Sequence, residues 1–274
     1  MTAHMSHGIL CMIACPMLED ELIYSLMNDP DEKTVYVLDT PYNGSLRRKM
    51  DQKGVQYTIM DEWDFMNANS DIDRSRFNVV IRMMSLGLHA EPKELMEKIE
   101  DDMIMLQGRV NAVGLYYGMC GNYGWDISKW ADEHLDYPAV MFKDSQGRVC
   151  DDCVGVAVGG LCGYQRLIKE FTGVMLFTPA VATNWEDFLG ASDMMKGYVG
   201  SGDTRANLKE ILEMCGYNSV VQIDTGLEDR GEFDAATKDF ADYMGFRILQ
   251  ASDDYADLGP AKKLYSEAKS LLPE

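Results

Sequence analysis

Short apolar runs alternate along the chain with amphipathic stretches, and this alternation predicts a parallel sheet covered by helices. Between the runs, apolar residues recur at spacings of three and four, which is typical of helices with one buried face. The predicted strands are Gly8–Ala14, Thr34–Leu38, Gln56–Met60, Asn78–Met83, Val110–Tyr116, Ala139–Phe142, Gly173–Phe177, Ser219–Ile223 and Arg247–Leu249. The predicted helices include Leu18–Met27, Pro92–Leu106, Asp126–His134, Arg205–Cys215 and Phe233–Met244. We therefore predict an α/β protein with Rossmann-like parallel sheets flanked by helices.

No interval between these elements has the composition of a linker, so residues 1–274 are predicted to form a single compact α/β protein. Cys11, Cys120 and Cys153 each occur in a separate stretch where a strand leads into a helix. This recurrence indicates two or three similar layers, and our hypothesis is that Rossmann-like subdomains cover about 1–107, 108–200 and 201–274.

The charge balance limits the partners. The chain carries 45 acidic and 25 basic residues, a net charge of −20, whereas binding of phosphate backbones needs clustered Lys and Arg. We expect no nucleic-acid partner.

The longest apolar runs, Val110–Tyr117 and Val154–Cys162, are far shorter than the roughly 20 residues of a membrane-spanning helix. With no basic segment before Ile9, we expect no signal peptide, no membrane span and a cytoplasmic location.

The seven cysteines are interpreted as thiols or metal ligands, because a cytoplasmic protein seldom forms structural disulfides and the number is odd. The chain also contains 20 methionines. Side chains that oxidise so readily are best tolerated where oxygen is scarce, which favours an anaerobic source.

The most informative segment runs from Val110 to Trp125, where an apolar strand leads into a loop rich in glycine and aromatic residues. Gly118 and Gly121 flank Cys120 and allow close approach to the backbone. Cys120 then lies near a predicted helix N-terminus, where the dipole favours the thiolate that binds metal. The alternative is a small buried cysteine in a glycine-rich turn.

Two further segments place cysteines at strand ends. Cys150 and Cys153 have CxxC spacing beside two carboxylates, which is typical of one arm of a metal site; the alternative is an acidic turn before a buried glycine-rich element. Cys11 and Cys15 lie at the end of the first strand, before a helix whose acidic first turn, Glu19 to Glu21, complements the dipole. Cys11, inside the strand, is the better candidate for the core.

The remaining features narrow the chemistry. Cys162 and Cys215 lack polar neighbours in sequence, and we predict both to be core residues. The Thr178-Pro179 turn follows a predicted strand and is expected to line a pocket. The sequence contains no P-loop, no GxGxxG, no nucleophile elbow and no HExxH, which disfavours nucleotide hydrolysis and serine chemistry.

Several of these segments together resemble the family catalogued as domain of unknown function 1638, found in methanogenic archaea and anaerobic bacteria. The resemblance rests on Cys11–Glu21, Tyr117–Asn122, Asp152-Cys153 with Gly159 and Tyr164, and Phe177–Pro179. A histidine often precedes the Asp-Cys pair in the family, whereas Asp151 stands there in this chain. Members tend to accompany corrinoid-dependent methyltransferase systems, so the resemblance implies a role in anaerobic one-carbon (methylamine or corrinoid-linked) methyl transfer.

Three thiolates on three strand-end loops predict a metal centre. By architectural analogy alone, Cys120, Cys153 and one of Cys11 or Cys15 would hold a [4Fe–4S] cluster with one iron open to substrate. Zinc on the same ligands, completed by Asp151 or Asp152, is the alternative. The remaining predicted site residues are Asp152 and Tyr117 in catalysis, and Gly118, Gly121, Asn122 and Thr178 in contact with the cofactor.

Two function classes follow. The first is a metal-dependent transferase or lyase acting on a small molecule. The second is a non-catalytic accessory protein that binds a corrinoid or a corrinoid methyltransferase component through its acidic surface. Assembly into a homo-oligomer is compatible with both.

Overall fold

Strand β1 (Gly8–Ala14) is buried on both faces, which explains its continuous apolar sequence. The side chains of Ile9, Cys11 and Ile13 belong to one hydrophobic cluster, and those of Leu10 and Met12 to another. This period of two follows from the pleat of a strand with helices packed on each side. The computed structural model describes residues 6–67, 70–86, 88, 91–119, 125–186 and 204–274.

The described residues form two parallel sheets. The larger has the order β3-β2-β4-β1-β5-β6, and the smaller has the order β7-β8-β9. The other strands are β2 (Thr34–Leu38), β3 (Thr58–Met60), β4 (Phe77–Met83), β5 (Ala112–Tyr116), β6 (Ala139–Met141), β7 (Val174–Phe177), β8 (Ser219–Gln222) and β9 (Arg247–Gln250). The predicted Rossmann-like α/β class is confirmed. The proposed subdomains 1–107, 108–200 and 201–274 stay a prediction, while the sheets group residues 8–141 and 174–250.

Helices cover both faces of the larger sheet and join the smaller one to it. They are α1 (Glu19–Asn28), α2 (Gly44–Gln52), α3 (Glu62–Met66), α4 (Pro92–Met105), α5 (Ile127–His134), α6 (Cys153–Ala157), α7 (Leu161–Glu170), α8 (Pro179–Thr183), α9 (Thr204–Met214), α10 (Arg230–Met244) and α11 (Gly259–Ser270). A 3-10 turn, Pro16–Leu18, precedes α1, and another, Asp253–Tyr255, precedes α11.

The cluster of Leu10 and Met12 also contains residues of α1, α2 and α11. The cluster of Ile9 and Cys11 also contains residues of α4, α5, β7, β8 and α10, and it therefore connects the two sheets.

The C-terminal helix returns to the centre of the larger sheet. Helix α11 packs against β5 and β6, and a Cβ at Gly114 would lie 2.7 Å from Met12 Sδ and 3.5 Å from Ala268 Cβ. A side chain at position 114 would touch α11 at ordinary contact distance, and the group that would have to shift is the end of the Met12 side chain on the neighbouring strand.

No helix within the described ranges is both long enough and apolar enough to cross a bilayer.

Candidate functional site: cysteine loops at the carboxyl edge of the larger sheet

The loops that follow β1 and β5 are joined at the carboxyl edge of the larger sheet. Cys15 comes directly after β1, and its backbone N–H donates to the carbonyl of Tyr116, the last residue of β5, at 3.1 Å. Parallel pairing of β1 with β5 sets this contact, because Ala14 lies opposite Tyr116. Cys15 therefore lies beside the start of the loop that contains Tyr117 and Gly118.

The segment with the CxxC spacing packs against the same loop. The N–H of Met119 donates to the carbonyl of Cys150 at 3.0 Å. A Cβ at Gly118 would lie 2.5 Å from Asp152 Cα, closer than real Cβ contacts come. Gly118 is thus required by the approach of another backbone, and this contact brings the residues before Cys153 to the edge where Cys15 lies.

Cys153 lies where three hydrophobic clusters meet: the cluster of Ile9 and Cys11, the cluster of Leu10 and Met12, and a third that includes Val154, Leu167 and Val221. It is half-buried at the first position of α6, and it packs against all three of them. Cys15 and Tyr117 are 5% and 2% exposed and belong to the cluster of Ile9 and Cys11. Both cysteines therefore pack on apolar side chains.

Asp152 and Thr178, predicted as catalytic and cofactor-binding residues, both cap helices. An Asp152 carboxylate oxygen accepts the Gly155 N–H at 2.7 Å, at the start of α6. Thr178 is 3% exposed, and its hydroxyl accepts the Val181 N–H at 3.4 Å, at the start of α8. Helix α8 packs on the Pro16–Leu18 turn, so the Thr178 loop reaches the residues after Cys15. Burial raises the pKa of Asp152, while the Gly155 N–H acts in the opposite direction.

The structure separates the two N-terminal cysteines. Cys11 is fully buried in the middle of β1, where burial raises the pKa of its thiol to about 12. Four residues of strand set it roughly 13 Å from the position of Cys15. Of the two predicted ligands, Cys15 lies at the loop edge, and Cys11 faces the core.

Cys150 is also buried, at 1% exposure, and burial raises the pKa of its thiol to about 12. The two cysteines of the CxxC spacing therefore differ, since only Cys153 is partly open to solvent.

The core positions predicted for Cys162 and Cys215 are wrong, because both side chains are exposed. Cys162 lies in the first turn of α7, on its solvent side, and its Sγ accepts from Arg148 Nη2 at 3.2 Å. Cys215 follows α9 at a solvent-facing helix end. The lack of polar neighbours in sequence does not show whether a thiol near a helix end faces the core or the solvent.

Three of the predicted site residues, Cys120, Gly121 and Asn122, lie outside the described residues. Among the residues that are described, no three His, Cys, Asp or Glu side chains form a group able to hold a metal ion.

Two features of this edge were missed from the sequence. Tyr164 on α7 is close enough to Asp152 and Cys153 that their charges add to the burial that raises its pKa. Glu19, Asp20 and Glu21, interpreted as partners of the helix dipole, are buried, and Glu19 and Asp20 form ion pairs with Lys49 of α2. The acidic run in sequence gave no indication of a lysine some thirty residues away.

Fold and site define a Rossmann-like α/β protein with cysteine-bearing loops at the carboxyl edge of its larger sheet. The chain belongs to the family described as protein of unknown function DUF1638, whose model matches residues 83–261. The matched region contains Cys120, Cys153 and Thr178 and begins after Cys15. No curated protein matches the chain.

Proposed function

We propose that this chain is a cysteine-ligated metal or iron–sulfur protein, with Cys15, Cys120 and Cys153 as its ligands. The observation that carries the proposal is the contact of three loops at one sheet edge. The backbone of Cys15 is hydrogen-bonded to the end of β5. The backbone of Met119, which directly precedes Cys120 in sequence, is hydrogen-bonded to that of Cys150. Parallel α/β proteins bind their ligands at this edge.

The donor set supports a thiolate centre. Cys15 is buried among apolar side chains, and Cys153 packs on apolar side chains while it stays partly open to solvent, so a cluster or a zinc ion here would be shielded on the protein side and reachable from the other. The described residues contain no complete three-ligand group, so a metal here requires a ligand from outside them, and Cys120 is the cysteine whose place in the sequence fits. Cys11 is the weaker candidate because it faces the core from mid-strand.

When bound, an iron–sulfur cluster with an open iron, or a zinc ion, supplies a Lewis acid to a substrate. The chain's own residues would then hold and orient that substrate. Tyr117 and Tyr164 have hydroxyls at the same edge, and Asp152 holds α6 in place through its cap. Gly118 keeps the loop after β5 close to Cys153.

The metabolic setting rests on the family resemblance alone. We propose anaerobic one-carbon metabolism, in which the chain acts in the cytoplasm on a small molecule or on a corrinoid protein. The second candidate is a non-catalytic accessory protein that binds a corrinoid or a corrinoid methyltransferase component. Its support is the net charge of −20, which fits a contact with a basic partner surface.

Metal analysis of protein purified without oxygen tests the proposal. Brown protein that absorbs at about 400 nm and contains iron and sulfide is the result expected for a cluster, and colourless protein with one zinc per chain is the result expected for the zinc form. Cys15→Ser, Cys120→Ser and Cys153→Ser should each lose the metal. Cys162→Ser and Cys215→Ser, which change exposed thiols, are matched controls and should retain it. Protein that holds no metal would leave the accessory role as the better proposal.

A further inference from the structure

A buried cluster of charged side chains lies at the start of α1, and its members come from α1, from α2 and from the loop after β8. Lys49 Nζ of α2 lies 2.9 Å from Glu19 Oε1 and 2.7 Å from Asp20 Oδ2, and it also contacts Glu228. None of these four side chains is more than 5% exposed. Glu228 follows β8, so Lys49 joins the larger sheet to a loop of the smaller one.

The cluster contains more acid than base. Glu21, the next residue of α1, is 4% exposed, and its Oε2 has no hydrogen-bond partner in the described part of the chain. Glu19 Oε2 and Asp20 Oδ1 are buried without a hydrogen-bond partner there too. An uncompensated buried carboxylate costs far more than a protonated one, so such a group takes up a proton.

The side of the cluster formed by β5 offers Glu21 no cation. Tyr116 is fully buried, and its hydroxyl makes no hydrogen bond of normal geometry with the described residues. Burial raises the pKa of Tyr116, and the charge of Glu21 raises it further, which shows that the two groups are near each other. Among the described residues, the charges that act on the pKa of Glu21 are those of Asp20 and Glu19 from its own helix and Lys49 from α2, and Lys49 in turn contacts Glu228.

The loop after β8 is held to α2 at two points. Lys49 contacts Glu228, and Lys53 Nζ donates to the carbonyl of Leu227. Both lysines lie on α2, while Leu227 and Glu228 belong to the segment that leads from β8 into α10. Of the cluster's carboxylates, Glu228 is on a loop and the others are on a helix, so Glu228 is the one that can move away at least cost.

We propose that this cluster is a proton-dependent clasp, in which protonated Glu21 allows Lys49 to hold Glu228 and the loop after β8 against the larger sheet. Loss of the proton adds a negative charge, and Lys49 is the only cation that the described residues place in the cluster. Repulsion then favours release of Glu228 and opening of the loop, while α1 and α2 stay paired.

The pH window follows from the carboxyl of Glu21. Burial, and next the charge of Asp20, raise its pKa from 4.5 to about 8. Burial likewise raises the pKa of Glu19, against the opposing charge of Lys49. A carboxyl with a raised pKa binds its proton more tightly in the folded state, so the clasp is complete at low pH and weakens as the pH rises through about 8.

Hydrogen exchange of residues 219–229 tests the clasp. We expect amide protection, corrected for intrinsic rates, to fall at least about tenfold between about pH 6 and pH 9 in the wild type. Glu21→Gln keeps the shape of the side chain and removes the titrating group, so it should keep its protection at the higher pH. Glu97→Gln changes an exposed carboxylate and should behave as the wild type.

Several outcomes would overturn the proposal. One is equal protection of the wild type at both pH values, and another is equal loss in Glu21→Gln. A third is protection that depends on Na⁺, K⁺ or Mg²⁺ at constant ionic strength, since the cluster would then hold a cation in place of a proton. Melting temperatures over the same pH range check that each variant is folded.

Discussion

Gly118 lies directly against Asp152, so that a Cβ on the glycine would be 2.5 Å from the Asp152 Cα and 2.7 Å from its carbonyl carbon. Both contacts are with backbone, which cannot rotate away as a flexible side chain would. The loop after β5 and the segment before Cys153 therefore meet at a position that admits no side chain.

Gly118→Ala should destabilise the fold by about 2 kcal/mol, because the added methyl group forces two backbones apart. It should also lower the amount of metal bound per chain if the proposed ligands lie on these two segments. Gly44→Ala is the matched control, since a Cβ there meets no atom within 4 Å. Urea unfolding with metal analysis measures both effects, and wild-type stability in Gly118→Ala would contradict the contact.

The fold could be predicted from sequence wherever burial sets the pattern. Gly8–Ala14 and Thr34–Leu38 were predicted with the bounds that the structure shows, because strands inside a parallel sheet are apolar on one or both faces. The placement of Cys15 and Cys153 beyond strand ends followed from the same pattern.

What the sequence left open depends on contacts between distant residues. Lys49 and Glu228 are far apart along the chain, and nothing near either residue indicates that they meet. The exposure of Cys162 depends on which side of α7 faces the core, where Leu167 is buried and Cys162 is not.

Thiol labelling of the native protein should separate the cysteines by exposure. Cys162 and Cys215 are exposed and should react first with iodoacetamide. Cys11 and Cys150 are buried with thiol pKa values raised to about 12, so they should react only after unfolding. Mass spectrometry of peptides over a time course measures the order, and labelling of Cys11 as fast as Cys162 would show that β1 is not buried as described.

Asp152 should matter to stability through its cap. Asp152→Ala removes the bond to the Gly155 N–H and should cost about 1 kcal/mol, whereas Asp152→Asn keeps an acceptor and should cost little. Asp229→Ala removes the corresponding cap of α10, away from the cysteine loops, and controls for capping as such. If Asp152→Asn is as stable as the wild type yet loses a measured activity, the carboxylate acts in the chemistry as well.

Replacement of the buried Lys49 by an uncharged residue should strongly lower the stability of the fold. Lys49→Met leaves Glu19, Asp20 and Glu228 without their cation and should cost about 3–5 kcal/mol at neutral pH. Lys49→Arg retains the charge and should cost less. Lys98→Met is a suitable control, because Lys98 is half exposed and its partner Asp102 keeps a second cation in Arg82.

The loss of stability caused by Lys49→Met should be small in acid and should grow as the pH rises. Lys49 lowers the pKa values of Glu19 and Glu21, so without the lysine these two values rise further, and the folded state holds extra protons that the unfolded state releases as the pH increases. The variant should therefore approach wild-type stability in acid and lose it more steeply than the wild type as the pH rises. Urea midpoints at about pH 5, 7 and 9 give the comparison, and a stability difference that does not vary with pH would mean that these carboxyls are not held by Lys49 in the folded protein.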